Sequence, residues 1–266
     1  MIGGNARARL EDIRCFLLDM DGTIYLSDRL IDGSLTFLDA VHRSGRSYLF
    51  LTNNSSRSVE HYVHKLQKLG IDVCANDILS SGWATANYLL REHPGKRIFL
   101  LGNESLRAEM EGMGVVIDEK HPDIVVTGYD TTFTYRKMVS VCDFVRTGLP
   151  YIATHPDFNC PVEGGFEPDI GAIAAFIEAS TGRQPDLTVG KPHGEIVRAA
   201  TERTGCAPGQ LAMCGDRLYT DIKAGADHGL LSVLVYTGEA TREDYARSDI
   251  RADIALERLS DLIPYL

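Results

Sequence analysis

The chain has 266 residues, 44% hydrophobic and 24% charged, enough for one large or two ordinary cores. Its formal charge of −10 and pI near 5.3 disfavour nucleic acid and anionic membrane surfaces as partners. No apolar run approaches the roughly 18 residues that span a bilayer, "MIGGNARARLEDIR" lacks a signal-peptide core, and the six cysteines form no C-x-x-C pair. A cytoplasmic protein without disulfides or a zinc cluster is expected.

In chain order, the first predicted strand is Cys15–Leu18, "CFLL", which ends at Asp19 with Asp21 two residues further on. Residues i and i+2 of an extended segment project to one side, so these carboxylates share a space where joint ionisation is costly. A turn before Gly22 explains the pair as well as a functional site does. Helix Ser34–Ser44 stops at Gly45, strand Tyr48–Leu51 ends at Thr52, and helix Val59–Leu69 stops at Gly70. His61 and His64, three apart on that helix and lacking a third partner, read as an exposed face rather than a metal site. Strands Arg97–Leu101, Ile124–Thr127 and Tyr151–Ala153 follow, then the polar, turn-rich stretch "THPDFNCPVEGGFEPD". Strand Leu187–Val189 leads to Lys191, Leu211–Cys214 leads to Asp216, and Ser232–Tyr236 is the last strand.

Continuous apolar strands alternating with helical periods predict an α/β protein, its mostly parallel sheet covered on both faces. Ligands of open parallel sheets bind beyond the carboxyl ends of strands, where Asp19, Thr52, Lys191 and Asp216 all fall. Together they suit phosphoryl transfer through a covalent intermediate. Asp19 attacks phosphorus, Asp21 protonates the leaving oxygen and later takes a proton from water, and Lys191 neutralises charge. Mg²⁺ is the expected second cation, because Asp19 and Asp216 offer hard oxygens. Asp221 either orients a metal-bound water or caps the following helix.

The motifs "DMDGTIY", "TNNSSRS", "VGKP" and "GDRLYTDIKAG" resemble, in this order, the four signatures of haloacid dehalogenase superfamily phosphatases. "TNNSSRS" with "GDRLYTDI" is similar to the NagD-like, p-nitrophenylphosphatase group called subfamily IIA. The resemblance implies Asp19 as nucleophile, Asp21 as general acid/base whose backbone carbonyl also binds Mg²⁺, and Asp216 as the other metal-binding side chain. It places Thr52 and Lys191 on the phosphoryl group, with backbone N–H groups around Met20 and Asn53 completing the cradle.

Thirty-three residues separate Asp19 from Thr52, but 139 separate Thr52 from Lys191, far more than one crossover needs. The expected architecture is therefore a Rossmann-like doubly wound core, residues 1–80 and 187–266, with residues 81–186 inserted. The insert resembles the α/β (C2-type) cap of subfamily IIA, which selects the leaving group and often pairs into homodimers. His155 and Asp157 are the candidate substrate contacts within it. The expected activity is Mg²⁺-dependent hydrolysis of a small phosphomonoester such as a sugar phosphate, glycerol or glycolate phosphate, or nucleoside monophosphate. The alternative, a receiver-type phosphoacceptor module, has no use for Asp21 or for an inserted domain. A P-loop fails because Pro185 stands where that motif's first glycine belongs and Pro192 where Ser or Thr must follow Lys191.

Overall fold

The computed structural model describes residues 3–162 and 164–266. By its contacts the chain divides into two compact units, one comprising residues up to Leu51, Val63–Leu79 and Lys191–Leu266, the other Thr52–Tyr62 and Ser80–Gly190.

A six-stranded sheet organises the first unit, in the order Ile254–Leu256, Leu231–Val235, Leu211–Gly215, Cys15–Leu18, Ser47–Thr52, Ile78–Ser80. The chain's first strand thus lies inside the sheet, in parallel register with both neighbours: Leu18 stands opposite Cys214 on one side and Phe50 on the other. Cys15–Leu18, Leu211–Gly215 and Leu231–Val235 are buried at every residue, which is why their sequences are nearly continuous apolar runs, interrupted by Ser232, rather than alternating ones. Helix Ser34–Arg43 turns Phe37, Leu38 and Val41 inward, and Phe37 meets Phe16 edge-on at 5.6 Å. Each such side chain removed from water contributes about 1.5–3 kcal/mol. The helix ends one residue before the predicted Ser44, and Gly45 follows at φ 77°, a left-handed turn that glycine adopts without strain.

The second unit has its own parallel sheet, ordered Leu187–Thr188, Tyr151–Ala153, Ile124–Thr127, Arg97–Leu101, Val116–Ile117. Helices Tyr135–Arg146 and Ile170–Thr181 close a core around Phe99, Val125, Val141, Tyr151 and Ile177. Leu187–Thr188, expected to lead the core sheet into Lys191, instead pairs with Ile152 and Ala153. Val189 and Gly190 continue that ladder, donating to Ala153 O at 3.0 Å and Thr154 O at 2.7 Å. The strand is therefore held to the second sheet up to the residue before Lys191. An antiparallel hairpin, Asn159–Val162 with Gly165–Pro168, completes the unit and is largely exposed. Among the described residues no helix is long and apolar enough to cross a membrane.

Candidate active site

In the first unit three carboxylates and one lysine converge from three chain segments. Asp19 extends the central strand by one residue, its N–H donating to Cys214 O at 2.9 Å. The chain then turns sharply: Met20 O accepts from the N–H groups of Thr23, Ile24 and Tyr25, and Gly22 takes φ 86°. Lys191, 2% exposed, places Nζ 2.5 Å from Asp19 Oδ1, 2.7 Å from Asp221 Oδ1 and 3.1 Å from Leu51 O. Asp216 follows strand Leu211–Gly215. Its Oδ2 accepts the Glu239 N–H at 2.6 Å, while its buried Oδ1 has no hydrogen-bond partner. A Cβ on Gly22 would stand 2.4 Å, and one on Gly238 2.0 Å, from Asp216 Oδ2, so only glycine at both positions leaves this carboxylate room.

Electrostatics follow from burial. Desolvation raises the Asp19 and Asp216 carboxyls; Lys191 opposes it at Asp19, and Asp19 and Asp221 add to it at Asp216. Burial alone would lower Lys191, yet Asp19 and Asp221 outweigh it and hold the ammonium above its ordinary range. Asp21 is exposed at its surface; partial burial raises its carboxyl, countered chiefly by Lys65 and Arg217.

Asp19, Asp216 and Asp221 each offer an oxygen, all within 4.8 Å of one another, around a single lysine. The negative excess, the hard oxygen donors and the unpartnered Asp216 Oδ1 fit a divalent cation such as Mg²⁺. Asp19 and Asp216 are the better holders, because Asp221 is engaged: Oδ1 pairs with Lys191 and Oδ2 accepts the Arg217 N–H at 3.1 Å. The structure corrects the capping expectation for Asp221, since the N-cap of the following helix Lys223–His228 is Ile222. Asp221 lies within the π-helical turn Leu218–Ile222 and serves Lys191 instead. Glycine is again what allows the approach, since a Cβ on Gly215 would stand 2.2 Å from Asp221 Cγ.

Thr52 and Asn53 belong to the second unit and are buried there. Thr52 Oγ1 accepts the Asn54 N–H at 3.2 Å, and Asn54 Oδ1 accepts from Ser56 N and Oγ, giving two successive side-chain-closed turns. Asn53 Nδ2 donates to Asp157 Oδ2 at 2.9 Å. His155 and Asp157, the candidate substrate contacts, are 1% and 4% exposed. His155 Nε2 lies 3.0 Å from Asp169 Oδ1 and Nδ1 3.0 Å from Thr154 Oγ1. Only the later half of that stretch, the hairpin, is a surface feature. His61 and His64 are exposed, as expected of a solvated helix face.

Sequence reasoning missed Gly238 and Glu239, which hold Asp216, and Thr237, whose hydroxyl donates to Gly22 O at 2.6 Å. A signal existed: "TGE" directly follows the predicted strand Ser232–Tyr236, the same strand-end position that singled out Asp19 and Asp216.

Known proteins share this arrangement over nearly the whole chain. Residues 16–116 match the haloacid dehalogenase-like hydrolase family, and residues 188–262 match a second HAD-hydrolase-like family. An acid sugar phosphatase of Staphylococcus aureus (strain MRSA252) is 34% identical over 258 residues, 97% of this chain and 99% of its own length. Among solved structures, a 4-nitrophenylphosphatase from Thermotoga maritima is 46% identical with TM-score 0.94, covering 96% of this chain and 98% of that one. NagD from E. coli K-12 is 30% identical with TM-score 0.86, covering 94% and 98%. The chain belongs to the haloacid dehalogenase-like hydrolases, among the phosphatases of the NagD and p-nitrophenylphosphatase group, subfamily IIA.

Proposed function

We propose that the protein is a Mg²⁺-dependent phosphomonoesterase acting on small phosphorylated metabolites through an aspartyl-phosphate at Asp19. The observation that carries this reading is the buried Asp19–Lys191–Asp221 chain beside Asp216, whose Oδ1 has no protein partner. Lys191 fixes Asp19 Oδ1, so the nucleophile is oriented before substrate arrives, and Asp221 fixes Lys191 in turn. An Asp19 oxygen attacks phosphorus while the bond to the leaving oxygen breaks and Asp21 gives that oxygen a proton. Water then attacks the aspartyl-phosphate, Asp21 takes its proton, and phosphate leaves with Asp19 restored. A divalent ion would be held by Asp19, Asp216 and, as the family resemblance implies, the Asp21 carbonyl, and would supply positive charge to the transferring phosphoryl group. Thr52 and Asn53, directly after Leu51 in sequence, are assigned to the phosphoryl group by the family resemblance, and Lys191 supplies it with charge.

The names of the relatives, acid sugar phosphatase and 4-nitrophenylphosphatase, support sugar phosphates as the first substrates to try and p-nitrophenyl phosphate as the assay compound. The inserted domain, residues 81–186 between the core segments 1–80 and 187–266, is assigned the choice of leaving group. A cytoplasmic enzyme and a homodimer formed through the insert complete the proposal; the exposed Phe158 and Phe166 beside and on the hairpin support a covered surface there, and light scattering tests it. The receiver alternative draws no support from the relatives, which are named phosphatases over 97% of the chain. The deciding experiment is a kcat/KM ranking over a panel of phosphomonoesters together with acid-quenched phosphoprotein in wild type and Asp19→Asn. Phosphoprotein in wild type alone supports the mechanism; equal turnover by both sinks it.

A further inference from the structure

The second unit holds a buried polar network that the chemistry above does not use, and it ends on Asn53. Two hydrogen bonds fix this residue, and a glycine leaves it room. Its Nδ2 donates to Asp157 Oδ2 at 2.9 Å, its carbonyl accepts the Ser81 hydroxyl, and its Oδ1 lies 2.7 Å from where a Cβ on Gly190 would stand. A carboxylate only accepts, so Asp157 admits the amide one way round, Nδ2 inward and Oδ1 toward Gly190. The carbonyl tether restrains the backbone of the same residue.

Behind these contacts lies a run of hydrogen bonds that closes in a single direction. The Tyr129 N–H donates to Ser55 Oγ at 2.9 Å; Ser55 Oγ and Thr154 Oγ1 are 3.0 Å apart; Thr154 Oγ1 and His155 Nδ1 are 3.0 Å apart; His155 Nε2 and Asp169 Oδ1 are 3.0 Å apart. A neutral His155 with its proton on Nε2 lets every hydroxyl donate once and accept once. Ser81 Oγ lies 3.4 Å from His155 Nδ1, but that nitrogen only accepts here and the Ser81 proton goes to Asn53 O, so the ring packs beside the serine without a hydrogen bond to it. Ser81, His155 and Asp169 imitate the order of a nucleophile triad. Ser81, however, is fully buried and gives its proton to Asn53 O, so it attacks nothing. The segment carrying His155 and Asp157 is itself clamped to helix Ile170–Thr181: the Gly171 N–H donates to Asp157 O at 2.8 Å, and a Cβ on Gly171 would stand 2.4 Å from Pro156 O.

We propose that Asp157 and Ser81 are positioning residues that hold Asn53 in one amide orientation and one backbone conformation, and that neither touches substrate. This rests on the reading of Asn53 as a phosphoryl contact. A donor aimed at the transferring oxygens aids the transition state only while it is held in place, so loosening it lowers kcat more than it raises KM.

The test uses the full chain, p-nitrophenyl phosphate as substrate and orthovanadate as a transition-state-like inhibitor. Asp157→Ala lowers kcat by about 10- to 100-fold with KM changed by less than about 3-fold, and vanadate inhibition weakens in proportion to kcat. Asp157→Asn regains most of the loss, because its Oδ1 accepts the same bond. In an Asn53→Ala background Asp157→Ala costs less than about 3-fold more, since the side chain through which it acts is gone. Losses that multiply in the double variant, or an Asp157→Asn enzyme as slow as Asp157→Ala, overturn the proposal. Should Asp157→Ala fail to fold, Ser81→Ala removes one hydroxyl and is read the same way: a fall in kcat matched by vanadate supports positioning, and wild-type kcat overturns it. A wild-type protein with no phosphatase activity sinks the underlying reading instead, whereas an active wild type with multiplying losses sinks only the positioning role.

Discussion

The two buried polar clusters, one around Lys191 and one around Asn53, both hold buried carboxylates but arrange them differently. Around Lys191 three carboxylates share one ammonium, Asp216 Oδ1 has no partner, and burial raises both Asp19 and Asp216. Around Asn53 the hydrogen bonds run in sequence from Tyr129 through His155 to Asp169. Desolvated carboxylates crowded together are expensive unless something arrives to balance them, while carboxylates that stand apart and each accept from a buried donor stiffen what they surround. The difference teaches how to tell a candidate reacting centre from its scaffold: by carboxylates crowded within reach of one ion, not by the number of buried polar residues.

The largest effect that breaks this contrast is loss of the nucleophile. Asp19→Asn lowers kcat for p-nitrophenyl phosphate by more than about 10⁴, and rapid-quench assays find no burst. Asp21→Asn comes next, at about 10² to 10⁴ for alkyl phosphates, which need a protonated leaving group. With p-nitrophenyl phosphate it leaves a burst of about one product per active site, because p-nitrophenolate departs unprotonated but water attack has lost its base. Normal turnover of an alkyl phosphate by this variant would refute the acid/base role. Removing the divalent ion with EDTA abolishes turnover and Mg²⁺ restores it, and Gly238→Ala weakens Mg²⁺ activation by about 10- to 100-fold without removing any ligand. Titration calorimetry with Mg²⁺ alone checks that last point independently of turnover.

The smallest effect sharpens the contrast from the scaffold side. Glu109 accepts from the Val59 N–H at 3.1 Å and lies 3.4 Å from Ser80 Oγ, and burial pushes its carboxyl up to about 7. The folded protein then keeps a proton that the unfolded chain releases near pH 4.5, so stability falls as pH rises from about 4.5 to about 7. Glu109→Gln keeps the Val59 N–H on its one oxygen, turns its amide N–H toward Ser80 Oγ as a protonated carboxyl would, and cannot ionise. Relative to wild type it becomes more stable across that window, by on the order of 2 kcal/mol in urea unfolding, with no difference below pH 4. Parallel stability curves for the two proteins would show that Glu109 is not held protonated.

Much of the reacting centre was legible because strand ends are legible. "CFLL" and "LAMCG" are buried at every residue, and the polar group after each run falls where open α/β sheets bind ligands. The scaffold was not legible, for two physical reasons. Its bonds join residues far apart in sequence, such as Asn53 with Asp157, 104 positions away, so no local period reports them. Its residues also have the composition of a turn: His155, Pro156, Asp157 and Asn159 read as a solvated loop until Gly171 is seen to let helix Ile170–Thr181 close over their backbone. Leu187–Val189 was recognisable as extended, but which sheet it joins depends on partners that its own sequence does not name. The π-helical turn that carries Asp221 to Lys191 likewise leaves no sequence signal distinct from an ordinary helix start.

The burial of Lys191 between two carboxylates also has a practical consequence for bioconjugation. Amine-reactive esters attack the neutral form of accessible lysines, and this ammonium is both enclosed and held charged above its ordinary range. Coupling the protein to a resin through its surface amines, or labelling it to saturation with an acylating dye, leaves Lys191 untouched in the folded state and available to acylation only after unfolding. Peptide mapping of the dye therefore turns one lysine into an internal reporter of whether an immobilised preparation is still folded.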